Sequence, residues 1–359
     1  MFARKLKTKQ LLPRNEESNG PLHTKSAAVS SINAVFALVV AITAGCSKSP
    51  VDSPPPTITP ATAAVSPPVS GTPDGVVRPL GTPGLAAVFD ARTASLTVLG
   101  PADRLTVFGA TPRTVALPAP AHALIGDGAG HVYLAGKGGY QDVDVATGAV
   151  SRVDIAGQAD TEFTAITRRA DGRVVLGSAD GALVTLGAGN SADSVSTSLK
   201  IFARVDGLVA QGNSVVVLDR GQTSVTEVDD DGTKAEQALR AGEGATTIAA
   251  DPAGRVLVAD TRGGALLVYG TEPLILRQAY PVHDAPYGLA GSGTLAWVSQ
   301  TATNTVVGYD LATGIPVEKV RYRTVQQPDH LAYDDASGTL YVVSGSGAGV
   351  QVIEKAATR

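Results

Sequence analysis

The chain offers few side chains with chemistry of their own. A lone thiol, Cys46, follows an apolar run, and beyond it lie four histidines, His122, His131, His283 and His330. No two of them have the spacing of a shared metal site. No G-x-S-x-G elbow occurs; SGSGAG (344–349) misses it and reads as a strand-connecting turn. GDGAG (126–130) has the glycines of a phosphate loop but opens no helix, so it reads as a hairpin turn. DDDG (229–232) lacks the alternation and the distal glutamate of a calcium loop. His131 begins a β-like run and reads as an ordinary surface residue. What remains is a scatter of polar residues beside turns: Arg92, His122, Asp219, Arg220, Asp260, Arg262, His283, Asp284, Tyr287, Gln300, Asp329 and His330. Brought to one end of a channel, such Asp, Arg, His and Tyr groups would make a ligand-binding face. Taken singly, the aspartates can instead cap turns by accepting from backbone N–H groups. No catalytic residue, metal or cofactor is expected from this set.

The elements that must position these residues repeat along the chain. Short β runs end in a small or acidic residue at Asp90, Gly136, Ser178, Asp219, Asp260, Ser299 and Ser344, spaced 46, 42, 41, 41, 39 and 45 residues apart. A period near 42 with β-branched runs and glycine turns predicts an all-β propeller of seven blades, each of about four antiparallel strands. Each run reads as a second strand. An inner strand precedes it, as in APYGLAG (285–291) and PDHLAY (328–333), and a third follows, as in NTVVGYD (304–310), SVTEVD (224–229) and GVQVIE (349–354). DVATG (144–148) and DLATG (310–314) are hairpin turns to a fourth. A βα barrel would need helical periodicity between strands, and the best helical stretch, TKAEQALRAG (233–242), falls at an outer strand by register. His122, His283 and His330 then sit near loops entering inner strands, on the face shared with the turns after second strands. Loops on a rigid scaffold carry function, which makes that face the expected site.

Ring closure has two readings. The last repeat stops after its third strand, and GVVRPLG (75–81) either supplies the missing fourth strand or serves as the first inner strand. Six blades with an irregular start is the alternative architecture.

The N-terminal region is of another kind. AVFALVVAITA (34–44) is a short apolar run with Lys25 and further basic residues upstream, followed by Gly45 and Cys46. That is the layout of a secretory signal, and the run is well short of the ~20 residues of a spanning helix. The Ala-Gly-Cys ending resembles the lipobox of bacterial lipoproteins, with Thr43 where leucine is commonest. The resemblance implies cleavage before Cys46 and acylation of its thiol, so that the chain is anchored by lipid on the extracytoplasmic side of the cell membrane. Residues 1–45 are then a lipoprotein signal peptide, 46–74 the lipidated cysteine with a proline-rich linker, and 75–359 the propeller. Residues 47–74 hold eight prolines among Ser, Thr and Ala, a composition that favours extended polyproline conformations and predicts a spacer. With one cysteine no disulfide can form within the chain. The first 45 residues hold six Lys/Arg and two Glu, which leaves 23 basic against 31 acidic residues, a net charge of −8. That excludes a nucleic-acid footprint.

Two repeat types are resembled. LAWVSQTATNTVVGYDLATGIPVEKV (295–320) is similar to the YVTN repeat of bacterial surface propellers, and DPAGRVLVAD (251–260) to NHL or gluconolactonase-type repeats. Over the propeller, KIFARVDGLVAQGN, VVLDRGQTSV, ADTRGG, LILRQAYPV and TVQQPD resemble the LppL family of conserved mycobacterial lipoproteins, which implies a cell-envelope lipoprotein and no transferable activity. Gluconolactonase-like propellers hold a divalent metal with carboxylates and asparagines around the channel. Here the propeller has only Asn190, Asn213 and Asn304, with Asn213 expected at the opposite face and Asn304 away from the axis, which disfavours that chemistry. The expectation is a binding or scaffolding propeller whose partner is an envelope protein, a glycan or a small ligand. A lactonase-like hydrolase or lyase and a purely structural surface protein are the alternatives.

Overall fold

A computed structural model describes residues 56–189 and 192–358. The leader, Cys46 and residues 47–55 lie outside the described residues, as does Asn190. The described chain forms seven sheets of four antiparallel strands each, a seven-bladed propeller, with one short 3-10 turn at Ala356–Thr358. Blades 1 to 6 take residues 86–116, 123–154, 163–200, 207–240, 245–281 and 286–323; blade 7 takes 328–353 together with 76–78. The first strand of each blade packs against the first strand of the next, so the seven line a central channel.

Burial explains which strands are readable. A second strand has a neighbour on each side in its own sheet and a blade on each face. Ser214–Asp219 is buried at every residue, and Arg255–Asp260 at all but its first. Such strands are apolar on both faces, which gives the runs VVVL and VLVA rather than an alternation. Outer strands face solvent: Val195–Lys200 has no buried residue, and Ala235–Arg240, within the stretch that resembles a helix, pairs with Ser224–Val228. Between blades the side chains interlock. Trp297 of blade 6, wholly buried, stacks on Tyr333 of blade 7 at 5.5 Å between ring centres.

The ring closes with strands from both ends of the domain. Val76–Arg78 runs antiparallel to the third strand of blade 7, Val76 opposite Val352 and Arg78 opposite Val350. Pro79 follows the last paired residue, so its missing N–H costs the ladder nothing. Behind this junction Leu96, Val98 and Phe108 of blade 1 pack against Val343, Val350 and Val352 of blade 7.

One strand assignment changes. The run ending at Asp90 is the inner strand of blade 1, Ala86–Asp90, and the second strand is Ser95–Gly100. The two are easily exchanged because Asp90 caps the turn after its strand, accepting from the Thr93 N–H at 2.8 Å, just as aspartates ending second strands cap theirs.

Residues 56–74 have the composition of a spacer, yet they lie along the propeller. Ala61 and Ser66 are buried. Asp74 binds the blade 6–7 junction: its N–H donates to the Arg323 carbonyl at 3.0 Å, and its own carbonyl accepts from Gln351 Nε2 at 2.6 Å. An extended, proline-rich chain has no internal hydrogen bonds, so its carbonyls are open to donors on the surface it crosses.

Candidate functional site

The turns entering inner strands and the turns after second strands share one end of the channel, the mouth face. Of the twelve residues singled out from the sequence, eleven lie on this side of the ring. Arg92 does not. With Ala86–Asp90 as an inner strand, Arg92 falls in the turn between first and second strands, at the opposite face, where Nη1 donates to the Ala129 carbonyl at 2.8 Å.

Several of the eleven shape the loops themselves. Asp219 is buried and accepts from the N–H groups of Ala203 (2.8 Å), Arg204 (3.3 Å) and Gln222 (2.9 Å). Asp260 accepts from those of Glu243 (2.9 Å), Gly244 (2.8 Å) and Gly263 (2.9 Å). A Cβ on Gly242, whose φ is +71°, would stand 1.9 Å from Asp260 Oδ2, so only glycine allows this approach. Gln300 is also buried; its Nε2 donates to the His283 carbonyl at 2.9 Å and its Oε1 accepts from Arg321 at 2.7 Å. His283 and Asp284 are exposed on the loop that Gln300 holds.

The others converge on the channel. His330 lines a cavity of about 250 Å³ with His122, Asp206, Thr246 and Thr247, over a floor that includes Leu124, Leu208 and Ile248. Burial pushes the His330 imidazole down to about 4, with the Gly84 carbonyl pulling weakly the other way. His122 Nε2 meets Glu162 Oε1, and both side chains are half exposed. Burial raises the Tyr287 phenol above its ordinary value, while Arg220 pulls it down and Asp329 pushes it up. Burial raises the Asp329 carboxyl too, against a hydrogen bond from Gln327 Nε2 at 2.9 Å. Arg220 donates through Nη2 to the Ala61 carbonyl, while its buried Nε has no partner among the described residues. Arg262 donates to the Thr59 carbonyl at 2.7 Å.

Sequence reasoning missed Glu162, Asp206 and Gln327. Asp206 is a mouth carboxyl raised by burial, which receives the Arg220 N–H at 2.8 Å. All three lie in irregular loops between blades, where no periodic pattern marks them. Asn304 sits in the turn that opens the third strand of blade 6, at φ +52°, and its Nδ2 donates to the Pro67 carbonyl at 2.8 Å. Asn213 is at the opposite face, its Oδ1 accepting from the Asp171 N–H at 3.0 Å. Asp229 caps its own turn, accepting from the Thr233 N–H at 2.7 Å. Among the described residues no group of three or more His, Cys, Asp or Glu is placed to hold a metal ion.

At its other end the channel widens to a cavity of about 570 Å³, lined in part by Asp127, Arg168 and Arg169. The arginines there serve the scaffold. Arg168 lies over the Tyr133 ring, 5.8 Å from its centre, and Arg169 donates to the Asp229 and Asp230 carbonyls.

No family model and no curated protein matches the chain. Solved structures match it by fold. A streptogramin B lyase structure superposes with a TM-score of 0.64 at 9% identity, over 79% of this chain and 97% of the other. A chain of a mitotic checkpoint complex gives 0.65 at 12% identity, over 84% and 98%. A chain of the Kuenenia stuttgartiensis hydrazine synthase gives 0.62 at 12%, over 79% and 99%. The likeness is one of architecture. At such identities it carries the propeller and none of the three activities.

Proposed function

We propose that this chain is a cell-envelope lipoprotein, of the kind the LppL resemblance implies, anchored through acylated Cys46 and presenting its propeller as a binding module. Its ligand-binding site is the mouth of the channel. The observation that supports this most is a cavity lined by His122, Asp206, Thr246 and His330, from four different blades, on the face that also carries Arg220, Tyr287 and Asp329. Such a site offers cationic, anionic and neutral hydrogen-bonding groups over an apolar floor, the mixture expected of a specific pocket on a rigid frame. An envelope protein, a glycan or a small polar ligand are the partners that suit it.

The test joins anchor and mouth in one experiment. Cells producing the wild type, Cys46→Ala and the pair Tyr287→Ala with Asp329→Asn are crosslinked, fractionated with detergent, and their bound partners identified. Cys46→Ala should leave the precursor unprocessed and out of the lipoprotein fraction. The mouth variant should stay in that fraction and lose its partners about tenfold, equivalent to about 1.4 kcal/mol of binding. Unchanged partitioning of Cys46→Ala would refute the anchor, and unchanged partner recovery from the folded mouth variant would refute the site.

A further inference from the structure

Residues 57–67 form a strap that crosses the mouth face over blades 4, 5 and 6, and the propeller holds it almost wholly by its main chain. Arg262 and Arg220 donate to the carbonyls of Thr59 and Ala61. Gln327 Nε2 reaches the Ala64 carbonyl at 3.0 Å, Gln326 Nε2 the Ser66 carbonyl at 3.1 Å, and Asn304 Nδ2 the Pro67 carbonyl at 2.8 Å. In the other direction the Ile58 N–H donates to the Gly221 carbonyl at 2.7 Å and the Ser66 N–H to Gln327 Oε1 at 3.0 Å. One strap side chain joins in, Ser66 Oγ donating to the Thr301 carbonyl at 2.6 Å.

The strap's larger apolar side chains take little part. Val65 is 91% exposed and Ile58 41%. Fit at the groove floor requires smallness instead: a Cβ on Gly244 would stand 3.0 Å from the Ala61 Cβ. Five side-chain donors reach five carbonyls spread between Thr59 and Pro67, so this surface reads the backbone of the segment more than its side chains. An extended proline-rich segment suits such a surface because it is already stiff and loses little freedom on binding.

We propose that this groove is a binding site for extended, proline- and alanine-rich peptide segments of other proteins, closed in the isolated chain by its own strap. Two of the donors also border the channel mouth, Arg220 through its N–H bond to Asp206 and Gln327 through its bond to Asp329, so the groove adjoins the proposed ligand site. A tethered occupant has an effective concentration in the millimolar range, so an outside segment gains the site only once the strap is lifted or outnumbered.

The test lifts the strap after folding. A protease recognition sequence is inserted between Gly71 and Thr72 of the full chain carrying Cys46→Ser, and the folded protein is cut. Binding is then followed with a fluorescent peptide of residues 56–71 and with a second peptide of the same composition in scrambled order, its prolines, Ala61 and Ser66 kept in place. The cut protein should bind the first peptide with a Kd of about 1–100 μM and the second within about tenfold of that, and the uncut protein should bind both at least about tenfold more weakly. In the cut protein, Arg262→Ala and Gln327→Ala should each weaken binding about fivefold or more. Absence of binding at about 1 mM peptide to a cut protein whose circular dichroism is unchanged would overturn the proposal. So would binding confined to the native order, which would make the strap a private clasp of this chain.

Discussion

His330 shows how a single side chain reports on the channel. It lies on the inner strand of blade 7, and burial holds its imidazole near 4, against an ordinary value of about 6.5 in the unfolded chain. Between those two values the unfolded chain takes up a proton that the folded chain refuses. The contribution is therefore fully favourable above about pH 6.5 and is lost as pH falls toward 4. At pH 4.5 the loss should be about 2–3 kcal/mol for this one group. His330→Gln should match the wild type within about 1 kcal/mol at pH 7 and show a shallower decline on the acid side, read by urea unfolding at both pH values. Parallel stability curves would show that the ring is solvated and titrates normally. The residue scale also marks what sequence can and cannot give. Asp219 and Asp260 were legible as turn caps because the chemistry is local, each accepting from the residue three further along. Asp206 and Glu162 were not, because what makes them notable is a neighbour in another blade or a wall of the channel.

At the scale of elements, legibility followed burial. Second strands announce themselves because apolar residues fill both of their faces. Outer strands and irregular loops carry a weaker signal, and in blade 1 a capping aspartate at the end of the inner strand imitated the one that ends second strands elsewhere. The strap is the extreme case. Its composition suggests extended chain, but no pattern in it records the five donors that hold it, since those lie on distant residues. Its energetics are nearly balanced. Eight hydrogen bonds tie residues 57–67 to the face. At about 1 kcal/mol net each they roughly offset the ordering of that stretch at about 1 kcal/mol per residue. Deleting residues 56–70 should accordingly lower the melting temperature by only about 2–5 °C, as followed by circular dichroism or calorimetry. A fall of about 15 °C or more would make the strap a structural part of the propeller rather than a removable cover.

At the scale of the whole molecule, the question is what keeps seven similar blades in one ring. Each blade buries its faces on its two neighbours, so an open junction exposes two apolar faces at once. No disulfide is available to prevent this, because the chain has a single cysteine. Closure instead rests on Val76–Arg78, which completes blade 7 by pairing with Val350–Val352. The sequence made this legible as one of two possibilities, since the last repeat lacked a fourth strand, but only pairing in three dimensions distinguishes a fourth strand of blade 7 from a first strand of blade 1. The segment contributes mainly through its backbone, for Val76 is 64% and Val77 40% exposed. Its removal would leave the third strand of blade 7 as a bare edge, an invitation to aggregate, and would loosen the packing of Leu96 and Phe108 against Val343 and Val352. A protein beginning at Asp74 keeps the strand and the hydrogen bond from Gln351 to the Asp74 carbonyl, and should unfold in one cooperative transition. One beginning at Gly84 keeps the contact of the Gly84 N–H with the Ser344 carbonyl but loses the strand. It should lose about 3 kcal/mol or more of stability, or aggregate, in side-by-side urea unfolding and light scattering. Equal stability of the two proteins would mean that three strands suffice in blade 7 and that side-chain packing between blades 7 and 1 alone closes the ring.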